Sequence, residues 1–247
     1  MWIRSIIGVL LLVLALTGFA PPADAAARLR YATISIARTA PVSDADFIAF
    51  RQRLAEAATR KDLAAVGDLT ATQSFFWERE VGTLPPAAET PGAALLQEAL
   101  ALNDPASHGW AALARFAADP APVPAPGRAG VVCTPAYPVF NEPALRAAMT
   151  ATGSDFYDWA YPAADTVPVL SRPLAGAKSI ATPGAALLHV LVWPDGDAGY
   201  AKVALPNGKT GYVAAAQLRP LATDQLCFIK TDAGWRIGGY IGGGEMP

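Results

Sequence analysis

The sequence predicts an α+β protein: a discontinuous α+β body with a compact all-β module inserted into it or appended to it. Three observations carry this reading. Residues 166–221 break into short β-branched or aromatic pieces bounded by Gly, Pro and Asp, the pattern of small strands joined by tight turns. Upstream, apolar residues recur at helical spacing, the sign of amphipathic helices. The only two cysteines, Cys133 and Cys227, stand on either side of the strand-rich stretch. The expected division is 1–25 as an export signal, 32–165 plus 222–247 as the body, and 166–221 as the module.

Taken in order, the N-terminus opens with Arg4, runs through the apolar stretch Ile6 to Leu16, and reaches Ala23-Asp24-Ala25 after Pro21-Pro22. Charge, length and small-x-small spacing match a secretory signal peptide. An uncleaved anchor is the alternative, although the apolar run is short for a span of about 20 residues. Ser43-Asp44-Ala45-Asp46 resembles a capping box. Phe47, Phe50, Leu54, Ala57 and Ala58 then share one helical face, so a helix is expected from about Asp44 to Thr59. A second piece surrounds Leu63, Val66 and Leu69.

Ser74 to Val81 is aromatic and predicts a strand or a buried bend. Thr83 to Gly92 is Pro-rich and predicts a loop. Leu95, Leu96, Ala99 and Leu100 predict a helix ended by Asn103-Asp104-Pro105. Trp110, Leu113, Phe116 and Ala117 mark another. Asp119 to Gly130 carries four prolines and predicts an extended surface connector. Val131-Val132-Cys133 reads as a strand. Asn141-Glu142-Pro143 reads as a helix start, with Gly153 beyond its end. Phe156, Tyr157, Trp159 and Tyr161 crowd the approach to the module and suit a wedge between two domains. After the module, Leu226 to Lys230 and Trp235 to Ile241 form a hairpin around Asp232-Ala233-Gly234.

Within the module, Pro194-Asp195-Gly196-Asp197 and Pro206-Asn207-Gly208-Lys209 carry Asx-Gly pairs suited to positive φ. Gly199-Tyr200-Ala201-Lys202-Val203, Asn207-Gly208, Gly211-Tyr212-Val213 and Leu218 then resemble the bacterial SH3 (SH3b) domain. Tyrosines stand where that family carries tryptophans. The opening strand keeps only Val169, Ser171 and Pro173 in similar places, and the match covers under a quarter of the chain. The resemblance implies a small SH3-like barrel, often attached to proteins that work on or near the cell wall.

Bulk composition excludes several classes. Hydrophobic residues make up 53% and charged residues 16%, ample for a core and unlike a disordered chain. The net charge of −2 comes without a Lys/Arg cluster, so nucleic acid is not an expected partner. Two cysteines in an exported, oxidising setting most simply pair; two buried free thiols are the alternative. A Cys133–Cys227 bond would make the strand before the module and the hairpin after it one body.

The catalytic inventory is thin. His108 sits in a Ser-His-Gly loop without a nearby carboxylate, and His189 lies on a strand whose alternate residues face solvent. No metal-ligand spacing, nucleophile elbow or phosphate loop occurs, so neither a metal nor a cofactor is expected. Glu78 and Glu80, beside Phe76 and Trp77, offer the best enzymatic hint: a carboxylate next to aromatics can act as an acid on a glycosidic bond. A salt-bridged strand face around Arg79 explains them more simply. Trp193, Tyr200, Tyr212, Trp235 and Tyr240 offer flat amphipathic surfaces for peptide or sugar contact, against the competing reading that they fill a core. The expectation is a non-catalytic periplasmic or secreted protein, off the membrane once its signal is cleaved. It would recognise or scaffold peptidoglycan or an envelope protein. A cell-wall glycan hydrolase using Glu78 or Glu80, and a small-molecule-binding α+β domain, are the alternatives.

Overall fold

The computed structural model describes residues 29–78, 90–195 and 199–242. The expected signal 1–25, the residues Arg79 and Glu80, most of the 83–92 loop and the Gly196-Asp197 turn lie outside the described residues. The chain is a mixed α+β protein with helices packed on one sheet and a second, larger sheet beside it.

The first helix, α1 (Ala45–Arg60), begins where its cap predicts. The Asp44 carboxylate accepts from the backbone amides of Asp46 and Phe47, satisfying donors that the first turn leaves open. The same carboxylate accepts from Lys230 Nζ at 2.8 Å and Trp235 Nε1 at 3.3 Å. One side chain therefore starts the helix and pins it to the C-terminal hairpin. Phe47, Phe50, Leu54, Ala57 and Ala58 form the buried face, as the 3.6-residue period requires. Then come α2 (Leu63–Asp68), α3 (Gly92–Ala99) and α4 (Gly109–Ala118). The fifth helix, α5 (Glu142–Thr152), is capped by Asn141 and ends on Gly153 at φ 64, a left-handed conformation that glycine adopts freely.

Helices α1 to α4 cover a five-stranded sheet. Its order is β2 (Phe76–Glu78), β14 (Gly234–Ile241), β13 (Gln225–Thr231), β4 (Val131–Thr134) and β3 (Val123–Pro124). The C-terminal hairpin supplies the two middle strands, and β2 runs parallel to β14. Gly239 faces Phe76 in that pairing, and a Cβ there would collide with the Phe76 ring. Cys133 and Cys227 stand opposite each other across β4 and β13 and are disulfide-bonded, with Cα atoms 4.1 Å apart. The Pro-rich 119–130 stretch, expected as a plain surface connector, instead contributes the edge strand β3 with Val123 buried. An edge is the position a proline-containing strand can occupy.

Residues 159–220, between β4 and β13, build the second sheet. It has seven strands in the order β12 (Leu218–Pro220), β6 (Trp159–Pro162), β9 (Leu188–Val192), β10 (Tyr200–Ala204), β11 (Thr210–Ala214), β7 (Val169–Leu170) and β8 (Ser179–Ala181). No pairing between β12 and β8 closes it among the described residues. The β10–β11 turn has Gly208 at φ 81, with Asn207 Oδ1 accepting from the Lys209 amide, the geometry an Asn-Gly pair favours. Its core joins Ala160, Val167, Val169, Leu188, Val190, Ala201, Val203, Leu205, Val213 and Leu218. All come from this sheet and its connections.

A third cluster fastens the larger sheet to α5 and to the N-terminal segment. That segment pairs as β1 (Ile36–Ala37) with β5 (Val139–Phe140). Tyr31 meets Trp159 edge-on at 5.0 Å and donates to the Ala204 carbonyl at 3.0 Å. His189 stacks on Trp159 at 5.3 Å and is 5% exposed. The strand alternation predicts a solvent-facing His189. The correction is that β9 is covered on both faces at this point, so alternation has no wet side to show.

Candidate functional site

The five aromatic candidates divide cleanly. Tyr240 is 0% exposed and Trp235 7%. Both belong to the helix-covered core, where Trp235 lies against Phe47 and Tyr240 against Phe116. Their rings are packed, so the flat contact surfaces expected of them are not on offer. Tyr200 and Tyr212 are half-buried, and Trp193 is exposed. None of these three enters a core cluster. The site the structure brings together is therefore the outer face of β9, β10, β11 and β7. Across it, Lys202 stands between Val192 and Tyr212, and Tyr212 stands beside Leu170. Neighbouring side chains on one face of paired strands lie close enough to act as one surface. Val192 adds exposed aliphatic area.

A second feature lies at the junction of the two sheets. A cleft of about 510 Å³ is bounded by Glu78 at the end of β2, Arg128 from the β3–β4 connection, Asp224 and Gln225 at the start of β13, and Tyr137 and Tyr157. Glu78 is ion-paired with Arg128, whose guanidinium lies 4.4 Å from the centre of the Phe76 ring. Spacing along the chain points to Arg79 as a partner and gives no hint of Arg128. Both members of the pair are partly exposed, and such pairs contribute at most about 1 kcal/mol. Tyr240 Oη donates to the Asp224 carboxylate, and burial raises that hydroxyl's pKa well above its usual range. Burial, then Glu142 and Tyr161, push Tyr137 up to about 12. Both phenols are therefore neutral donors at ordinary pH.

His108 stands at the N-cap of α4 without a capping hydrogen bond from its side chain. His189 is held below its usual pKa chiefly by burial, with Asp158 opposing; its Nδ1 has no hydrogen-bond partner. Glu80 lies outside the described residues. Among those residues, no group of three or more His, Cys, Asp or Glu is placed to hold a metal ion. No described helix is long and apolar enough to cross a membrane. Comparison of the chain with family models, with curated proteins and with solved structures yields no match.

Proposed function

We propose that this is an exported, non-catalytic recognition or scaffolding protein of the cell envelope. It contacts a cell-wall component, peptidoglycan first, or an envelope partner through the outer face of its seven-stranded sheet. One observation carries the reading: the cluster that joins β7, β9, β10 and β11 contains no aromatic side chain, the buried Trp159 and Tyr161 of β6 belonging to the separate cluster beside α5, yet Tyr200 and Tyr212 on β10 and β11 and Trp193 just beyond β9 lie outside both. Rings that are not needed for packing supply amphipathic contact area for sugars or peptides. The SH3b-like residues Gly199 to Val203 and Gly211 to Val213 form the β10–β11 pair that carries the two tyrosines. A sheet that buries its own face supports the reading of this unit as a small SH3-like barrel. Export rests on the signal-like residues 1–25.

Co-sedimentation with purified peptidoglycan tests the proposal. Wild type is expected in the pellet, with Tyr212→Ala and Tyr200→Ala shifted to the supernatant. Equal pelleting of all three proteins, or none of wild type, would sink it. Export is checked separately: the mature N-terminus is expected just after Ala25.

The junction cleft favours the small-molecule reading as a second possibility for the same exported protein. The hydrolase reading has less support, because Glu78 is engaged by Arg128. Muropeptide release by wild type but not by Glu78→Gln would restore it.

A further inference from the structure

The junction cleft contains a buried amide with one end unused. Gln225 is 7% exposed and lines the cleft. Its Nε2 donates to the Pro135 carbonyl at 2.7 Å. A carbonyl can only accept, so this contact fixes which end of the amide is nitrogen. Oε1 accepts no hydrogen bond from the described residues. It is not among the buried side-chain atoms left without a partner, so this acceptor is open rather than sealed in, and the cleft is where a donor can reach it. Next along the chain, Asp224 spends Oδ2 on Tyr240, while Oδ1 accepts nothing from the described residues.

Two further observations set the chemistry of the missing donor. The cleft gathers Glu78, Glu142 and Asp224 against a single cation, Arg128, which Glu78 already occupies. Glu142 also pairs with Arg146 at 3.6 Å, on the exposed surface of α5. The cleft is thus rich in acceptors and acidic, which selects for donors and for positive charge. Phe156 and Tyr157 belong to the same wall, and Tyr157 is 52% exposed. Aromatic faces attract ammonium and guanidinium groups and also cover apolar bodies.

We propose that this cleft binds an organic cation: a primary ammonium or guanidinium group attached to an apolar or aromatic body. The cation donates to Gln225 Oε1 and Asp224 Oδ1, and the body rests on Phe156 and Tyr157. Anions of the same size are rejected. The site is separate from the Tyr200–Tyr212 face and stands whether or not that face binds the cell wall.

Three probes of one shape and different charge test this by NMR on the ¹⁵N-labelled chain: phenethylamine, 2-phenylethanol and 3-phenylpropionate. Phenethylamine is expected to shift the Gln225 side-chain amide saturably, with the carboxylate at least about tenfold weaker. Asp224→Asn keeps an acceptor for Tyr240 while removing the charge, and is expected to weaken phenethylamine about tenfold. Glu78→Gln, at the solvent-facing rim, serves if Asp224→Asn fails to fold, and is expected to weaken the amine while leaving the alcohol unchanged. Equal affinity for the three probes, the absence of a saturable shift at millimolar amine, or shifts centred on Tyr212 would each overturn the proposal.

Discussion

The two sheets solve the burial problem with different side chains. The helix-covered sheet fills its core with Phe47, Phe50, Trp77, Trp110, Phe228, Trp235 and Tyr240. On the seven-stranded sheet, the cluster across β7, β9, β10 and β11 holds Ala, Val and Leu alone, while Trp159 and Tyr161 of β6 pack into the cluster beside α5. Between the helices and the strands they cover, large rings fill the gap. The cluster within the seven-stranded sheet is lined by its own strands and connections, and branched aliphatics suit it. An aromatic residue therefore means different things in the two regions. In the first it is structure; on β10 and β11 of the second it is surface. Trp235 and Tyr200 look alike in the sequence and differ for this reason.

The largest expected effect concerns the link that only the helix-covered region possesses. Replacing Cys133 and Cys227 by serine releases a closed loop spanning 94 positions, which chain-entropy reasoning values at about 4–5 kcal/mol. Urea unfolding of the double variant should show that loss. A loss below about 1 kcal/mol would mean that the bond constrains the unfolded chain little.

The next effect tests the contrast between the cores directly. Phe228→Ala removes a fully buried ring and is expected to cost about 3–5 kcal/mol. Tyr212→Ala removes a half-exposed one and is expected to cost under about 1 kcal/mol. Comparable losses from the two substitutions would erase the distinction drawn above.

Two smaller effects depend on pH. His189 has a folded-state pKa below its usual 6.5, so on acidification the unfolded chain takes up this proton first. Its contribution to stability is complete above pH 6.5 and declines below it, levelling once the folded state also protonates. Thermal melts between pH 7 and 5 should fall for wild type and flatten for His189→Gln. The Asp44 carboxylate is lowered from 3.8 to about 2, first by Lys230 and also by the amides it caps. That contribution is present above pH 3.8 and is lost as pH falls through about 2. An Asp44→Ala chain should show no such step in acid melts.

Local signals carried much of the fold. The period of Phe47, Phe50, Leu54, Ala57 and Ala58 located α1, and Asn141 with Gly153 marked both ends of α5. The turn at Asp232-Ala233-Gly234 marked the C-terminal hairpin, and the two cysteines tied β4 to β13. What escaped was long-range. The parallel pairing of β2 with β14 joins positions far apart in the chain, and no spacing rule announces it. The strand β3 hides among prolines because an edge strand needs few donors. At the candidate sites, the sequence supplied the five aromatics but could not say which face each would take. Half of the cleft was legible only as isolated residues: Gln225, Asp224 and Arg128 mean nothing until Pro135, Tyr240 and Glu78 stand beside them.

The pairing of Cys133 with Cys227 carries a consequence for how the molecule survives cleavage. A peptidase nick at any point between those two positions leaves the fragments tethered. On a gel run without reductant the nicked product keeps a single band, and thiol treatment splits it into two.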